Sequence, residues 1–187
     1  MEGSAQLAEY LGLFFQYITR NNEEEKRLRE EIEHAGVYAS IQRFRFRDML
    51  HVEIETPPDD MADRYVPRLI LQPVLENAFK YVYDVATSGC EMFLRIRFKR
   101  ISAMRFDILV ENSGQIDDDV LTDLNTRLNA PEVSMETTAL INIHRRLRIY
   151  FGEKSGLSFE RSTLNGLLVR MRIVSEERKE WMRNITS

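Results

Sequence analysis

The chain has 187 residues, 43% hydrophobic and 30% charged, enough apolar material for one compact core with a helical appendage. Lys plus Arg number 26 against 30 Asp plus Glu, a formal charge of −4 that argues against a dedicated nucleic-acid binder. The single cysteine, Cys90, excludes an intramolecular disulfide and a multi-cysteine zinc site and fits a reducing compartment. The apolar run 10–19 is shorter than the about 20 residues that cross a bilayer and lacks the basic start of a signal peptide.

In chain order, Leu7, Leu11, Phe14, Phe15 and Ile18 predict a helix over 4–20. Asn21 and Asn22 interrupt it, and Asn22 followed by Glu25 has the capping-box pattern. A second helix is therefore expected over 23–44, with Leu28, Ile32, Ala35, Tyr38 and Ile41 on one stripe and Arg43 and Arg45 near its end, as the dipole prefers. The period then changes to two. Alternation predicts strands at 50–54, 92–98, 104–110 and 167–173, and 157–161 is a plausible fifth. One face of these strands is apolar and the other mostly polar, which predicts a sheet covered on one side and largely wet on the other. Helices expected at 68–84, 117–129 and 138–151 would cover it, giving a two-layer α+β domain. Segment 112–137 reads as a partly helical loop region, and 176–187 as a charged tail whose apolar members are Trp181, Met182 and Ile185.

The helix at 68–84 carries the most chemistry. At 100° per residue Leu71, Leu75, Ala78 and Val82 share one stripe, while Asn77, Lys80, Tyr81 and Asp84 cluster on another side. An amide, a cation and a phenol together suit a metal–phosphate ligand, since an amide oxygen can complete a Mg²⁺ shell and a lysine balances phosphate charge. A plain solvated helix face is the alternative. The second segment, Glu111–Ile116, ends a strand with Gly114, where main chain can turn and a ligand can approach. The alternative there is an ordinary turn with Asp117 capping the next helix. No P-loop, His-Glu-x-x-His helix or Gly-x-Ser-x-Gly elbow is present, and Arg145, Arg146 and Arg148 read as a solvated helix face.

Taken together, these segments have a family look. The run Leu69–Tyr81 (LILQPVLENAFKY) closely resembles the N box of LytS-type sensor histidine kinases. Residues 28–50 resemble the segment joining their phosphoacceptor helix to the ATPase domain. Asn142–Leu147 through Tyr150–Gly152 resembles their second glycine-box helix, and Asn165–Val169 their final strand motif. The resemblance spans about residues 10–174 in the right order. It implies a Bergerat-type (GHKL) fold, a two-layer α/β sandwich in which three helices cover a mixed, mostly antiparallel sheet, with an N-terminal helical segment. The implied division is a helical remnant of the dimerisation and phosphoacceptor region at 1–45, an ATP-binding domain at 46–175 and a tail at 176–187.

The resemblance also implies roles. Asn77 would bind Mg²⁺ and, with Glu76, form the catalytic N box, while Lys80 and Tyr81 would lie near phosphate, Tyr81 standing where a His is more usual. Asn112 stands where the family has an Asp that receives the adenine amino group, and Gly114 would lie under the base. Residues 115–136 would form a lid. Thr137, Ala139 and Leu140 occupy the second glycine box, and Asn142 with Arg145 or Arg146 would sit near the far hinge. The implied activity is transfer of the ATP γ-phosphoryl group to an upstream histidine for relay to a response regulator. That histidine is expected before residue 1, in a membrane-anchored bacterial kinase whose cytoplasmic portion dimerises through its N-terminal helices. His34 reads as structural, and neither His51 nor His144 has the context of a phosphoacceptor.

Departures from the family pattern are specific. Asn112-Ser113-Gly114-Gln115-Ile116 replaces Asp-x-Gly-x-Gly, and Thr137-Thr138-Ala139-Leu140 replaces Gly-x-Gly-Leu. Asn112 accepts a hydrogen bond without a negative charge, and added Cβ atoms crowd a phosphate at a helix N-terminus. The alternative function is thus a degenerate kinase-like module with weak or no ATP binding that signals through protein contacts.

Overall fold

The computed structural model describes residues 2–19, 24–86, 90–128 and 138–175. Helix α1 (Glu2–Thr19) packs along α2 (Leu28–Phe46). Ring contacts pair Tyr10 with Phe44, Phe14 with Tyr38 and Tyr17 with His34, so the two helices run antiparallel.

The helix expected from residue 23 starts later, at Leu28. Residues before it form a short strand, β1 (Glu25–Arg27), paired antiparallel with β3 (Tyr65–Pro67). The Leu28 amide donates to the Arg64 carbonyl at 2.8 Å, so the main-chain bonds of 25–28 go to the segment at 64–67 instead of a helical turn. Glu30 takes the capping role expected of Glu25, accepting from the Arg27 amide at 3.0 Å. Asn22 lies outside the described residues. A further short helix, α3 (Asp59–Ala62), precedes β3.

The principal sheet comprises β2 (Leu50–Ile54), β4 (Met92–Ser102), β5 (Arg105–Ser113), β7 (Asn165–Val174) and β6 (Gly156–Arg161), neighbours in that order. β2 and β4 are parallel, the other pairs antiparallel. One face is covered by α4 (Gln72–Ala86), α5 (Asp118–Leu128) and α6 (Ala139–Phe151). Ile96, Ile108, Val110, Val169 and Met171 from the strands meet Leu75, Ala78 and Leu147 from the helices in one buried cluster. This is the expected two-layer α+β arrangement. Thr138 caps α6 through its hydroxyl, which accepts from the Ile141 amide, and Gly152 ends it at φ 100.

The opposite face is open to solvent at His51, Glu53, Phe93, Lys99 and Arg172, as expected, but closed at its centre. Asp107 and Glu111, which alternate outward along β5, are both fully buried. Arg97 donates to Glu111 at 2.6 Å, and Arg170 bridges Asp107 at 3.1 Å and Glu160 at 2.6 Å. Arginine stems on neighbouring strands cover the central strand's carboxylates, so a polar alternation builds a second, charged packing layer. Among the described residues no helix is long and apolar enough to cross a membrane.

Candidate functional site

The helix expected over 68–84 begins at Gln72. Residues 68–71 form a turn in which Leu69 takes φ 57, in the left-handed region. Leu71, just before α4, and Leu75 and Ala78 on it are buried against the core as the stripe predicts, together with Val74, while the side chain of Val82 lies outside the described residues. Glu76 is exposed and accepts from Gln72 Nε2 at 2.8 Å, one turn earlier. Lys80 is also exposed. Asn77 is half-buried, and its Nδ2 is enclosed with no hydrogen-bond partner among the described residues. An enclosed amide with no partner is costly, and such groups cluster where a ligand completes them. Tyr81 continues the helix, but its side chain lies outside the described residues.

α4 packs on β5, whose end carries Asn112, 1% exposed. Its Nδ2 donates to the Ser113 carbonyl at 2.7 Å, which leaves Oδ1 as the acceptor. Gly114 follows at φ 144, a conformation that disfavours any residue with a Cβ. β5 and β7 change register here: Glu111 faces Leu168 but Ser113 faces Asn165, so β7 carries one extra residue opposite Asn112. That residue pair includes Gly166, where a Cβ would come within 2.2 Å of the Asn112 carbonyl oxygen. The turn into β7 uses Asn165 at φ 68. The Asn165-Gly166 motif therefore sets where Asn112 lies.

At the start of α6, Ala139 is exposed, Leu140 is buried in the core and Asn142 is exposed. The Ile141 and Asn142 amides are engaged by Thr138, which leaves the main chain of Ala139 and Leu140 as the helix N-terminal donors. Thr137 and 129–136 of the expected lid lie outside the described residues. α6 also packs on α4, and Arg146 donates to the Arg68 carbonyl at 2.8 Å, tying it to the turn that opens α4. Cys90 is exposed.

Sequence reasoning missed Glu31. It is fully buried on α2 and gathers four donors: the Tyr17 hydroxyl at 2.6 Å and the amides of Leu69, Ile70 and Leu71 at 2.7, 2.9 and 3.3 Å. Burial and the Glu31 carboxylate push the Tyr17 phenol above its ordinary pKa, so it donates to that carboxylate throughout the physiological range. A signal existed: Glu31 falls at helical spacing between Leu28 and Ala35, in the middle of an apolar stripe. His34 is structural, stacked on Phe14 and Tyr17 with Nε2 2.9 Å from Gln72 Oε1. His144 Nδ1 accepts from the Leu157 amide at 3.0 Å, and burial lowers the pKa of both imidazoles. A cavity of about 530 Å³ opens between α2 and α4, lined by Tyr38, Gln42, Arg45, Glu76 and Lys80 among others.

No protein-family model matches the chain. In sequence it is 30% identical over 159 residues to the sensor histidine kinase BtsS of Escherichia coli (strain K12), covering 84% of this chain and 25% of that protein. It is 27% identical over 153 residues to the sensor histidine kinase YesM of Bacillus subtilis (strain 168), covering 82% of this chain and 24% of that protein. The chain thus spans about a quarter of the curated relatives it matches first. Its fold is shared with the catalytic domain of histidine kinase ThkA in a nucleotide-free form, at a TM-score of 0.56 and 18% identity over 81% of this chain and 94% of that one. The chain has the fold of histidine kinase catalytic domains and is similar in sequence to part of sensor histidine kinases.

A second solved relative, the histidine kinase domain of the blue-light activated kinase EL346 of Erythrobacter litoralis, aligns at a TM-score of 0.53 and 19% identity. That alignment covers 95% of this chain and 81% of the other, so it reaches beyond the sheet domain. Within this domain the elements carrying the expected nucleotide residues are neighbours: α4 lies on β5, and α6 on α4. The unpartnered Asn77 Nδ2 is a donor and the oriented Asn112 Oδ1 an acceptor, groups whose chemistry fits a polar ligand such as a nucleotide.

Proposed function

We propose that this chain is the ATP-binding catalytic part of a sensor histidine kinase, which transfers the γ-phosphoryl group of Mg·ATP to a histidine lying upstream of it. The observation that carries this reading is the N-box helix, where the enclosed Asn77 Nδ2 donor has no hydrogen-bond partner among the described residues and awaits an acceptor such as a phosphate oxygen. Asn77 would hold Mg²⁺ through its amide oxygen, Lys80 would balance phosphate charge, and Glu76 and Tyr81 would complete the reacting end. Asn112 Oδ1 would accept from the adenine amino group, with Gly114 letting the base approach the main chain. The main-chain donors of Ala139 and Leu140 would meet phosphate, flanked by Thr137 and Asn142. Bound Mg²⁺ supplies charge neutralisation along the phosphates; the protein's part is positioning.

In this reading residues 1–45 belong to the dimerisation and phosphoacceptor region, 46–175 bind ATP and 176–187 are a tail. The intact kinase would work as a homodimer on the cytoplasmic side of a membrane and pass phosphate to a response regulator. Isothermal titration of the wild type and Asn77→Ala with ATP, with and without Mg²⁺, tests the proposal. Wild type should bind more tightly with the metal, and Asn77→Ala should lose that gain. No binding by wild type at millimolar nucleotide would overturn it and leave a degenerate module acting through protein contacts.

A further inference from the structure

The Glu31 carboxylate joins three parts of the molecule. Oε1 accepts from the Tyr17 hydroxyl of α1 at 2.6 Å and from the Leu69 amide at 2.7 Å. Oε2 accepts from the Ile70 and Leu71 amides at 2.9 and 3.3 Å. A fully buried carboxylate needs such donors, since an ion removed from water is stable only when its lone pairs are met. The three amides are consecutive and immediately precede Gln72, the first residue of α4, so the charge also faces that helix's positive end. Leu69 sits at φ 57, a backbone state that costs about 1–3 kcal/mol for a residue with a Cβ and persists only where neighbours hold it. Glu31 is that neighbour.

A second connection runs in parallel. Arg68 donates to the Tyr17 carbonyl, and the Arg68 carbonyl in turn accepts from Arg146 of α6 at 2.8 Å. Tyr17 thus reaches the start of α4 through its hydroxyl and Glu31, and α6 through its main chain and Arg68. Leu75 is already within α4's regular ladder, bonded to the Leu71 carbonyl at 3.0 Å. Any shift at 69–71 therefore carries into the turn that bears Asn77.

We propose that Glu31 is a positioning residue through which the N-terminal hairpin sets the N-box helix: Tyr17 and the amides of 69–71 share one carboxylate, so a displacement of α1 loosens the turn that places Asn77. The proposal rests on the nucleotide reading above for its consequence, though not for its geometry. It gives α1 a direct hold on the metal end of the site. The adenine end, at Asn112 and Gly114, is held by β5 and Gly166 and stays out of its reach.

Tyr17→Phe in the full chain is the sharpest probe, because it keeps the ring stacked on His34 and removes only the hydroxyl. Two measurements are made on it. Hydrogen exchange without nucleotide should show the amides of 69–71 exchanging about ten-fold faster than in wild type, with the β4–β5 ladder unchanged. Titration should show weaker Mg·ATP binding and unaltered binding of metal-free ATP, a split that general loss of stability does not produce. Glu31→Gln should act in the same direction and more strongly; if it fails to fold, Tyr17→Phe decides alone. Wild-type exchange at 69–71 in Tyr17→Phe overturns the proposal, and so does equal weakening of ATP with and without metal. If wild type binds no nucleotide at all, the nucleotide reading fails, and the exchange measurement still decides the coupling.

Discussion

Gly166→Ala tests whether the β5–β7 bulge sets the position of Asn112. A Cβ at 166 would lie 2.2 Å from the Asn112 carbonyl oxygen and 2.9 Å from the carbonyl carbons of Asn112 and Ser113. To reach even 3.0 Å, a limit real Cβ atoms rarely breach, the carbonyl must retreat by about 0.8 Å. The obstacle is main chain on both sides, and the Gly166 carbonyl is itself bonded to the Ser162 amide at 2.8 Å, so no rotamer change relieves it. Overpacking of this kind costs about 1–3 kcal/mol, whereas replacing a glycine returns only about 0.4–1 kcal/mol through the unfolded chain. A net loss of about 1–2 kcal/mol follows, which lowers a urea midpoint by about 0.5–1 M at ordinary m-values. ATP affinity should fall as well, because Asn112 moves with its carbonyl. Urea denaturation followed by circular dichroism, paired with ATP titration, is the assay. A midpoint within about 0.2 M of wild type would refute the reasoning.

Two further outcomes concern the buried charges. Glu111→Ala removes the partner of Arg97 at 2.6 Å, Ser162 at 2.8 Å and Thr163 at 3.3 Å. It leaves a half-buried guanidinium, whose Nε is enclosed with no partner among the described residues, and the Ser162 hydroxyl unmet, so urea denaturation should show a loss of about 1–3 kcal/mol, and no measurable loss would count against the charged layer. His34 and His144 are both held below the ordinary value of 6.5 by burial. The unfolded chain therefore binds more protons just below pH 6.5, so stability is complete above that value and falls as pH drops toward the lowered ones. The slope is at most about 1.4 kcal/mol per pH unit for each imidazole. Asp60 and Glu160, held low by Arg100 and Arg170, titrate from ordinary values of 3.8 and 4.5 and contribute only in more acid solution. Urea midpoints measured from about pH 7.5 to about pH 5.5 check the sign, and a flat profile would contradict it.

How much of this was legible in the sequence depended on how local the deciding interaction is. The α4 stripe of Leu71, Leu75 and Ala78 needed only helical periodicity, and the strand alternations only a period of two. Glu25–Arg27 misled because three charged residues have no strand signature; their pairing is decided by Tyr65–Pro67, about forty residues away. Asp107 and Glu111 looked like solvent positions because alternation reports which side a residue faces, not what lies over that side. Their cover comes from arginines on β4 and β7. Within the candidate site the residue types on α4 and at the end of β5 could be named from pattern and resemblance. The supports could not: Glu31 and Gly166 act on segments 38–40 and about 54 residues away, through a carboxylate and through the absence of a side chain.

Asn112 bears on whether the altered first glycine box has lost adenine recognition. The family's Asp offers a charged acceptor, and charge-assisted hydrogen bonds are about twice as strong as neutral ones. That favours Asn112→Asp as an improvement, yet this main chain opposes it. The Asn112 amide group donates to the Ser113 carbonyl at 2.7 Å. A carboxylate in the same place would set oxygen against oxygen at that distance, in a residue 1% exposed. One bond would be lost and a buried acceptor left unmet, a cost of about 1–3 kcal/mol. The side chain would have to turn away from Ser113 to escape, taking its remaining oxygen off the direction that Asn112 Oδ1 now has. Asn112→Asp should therefore lower the urea midpoint and leave ATP affinity no better than wild type. Tighter ATP binding at unchanged stability would refute this argument and show that the site is still shaped for the acidic residue.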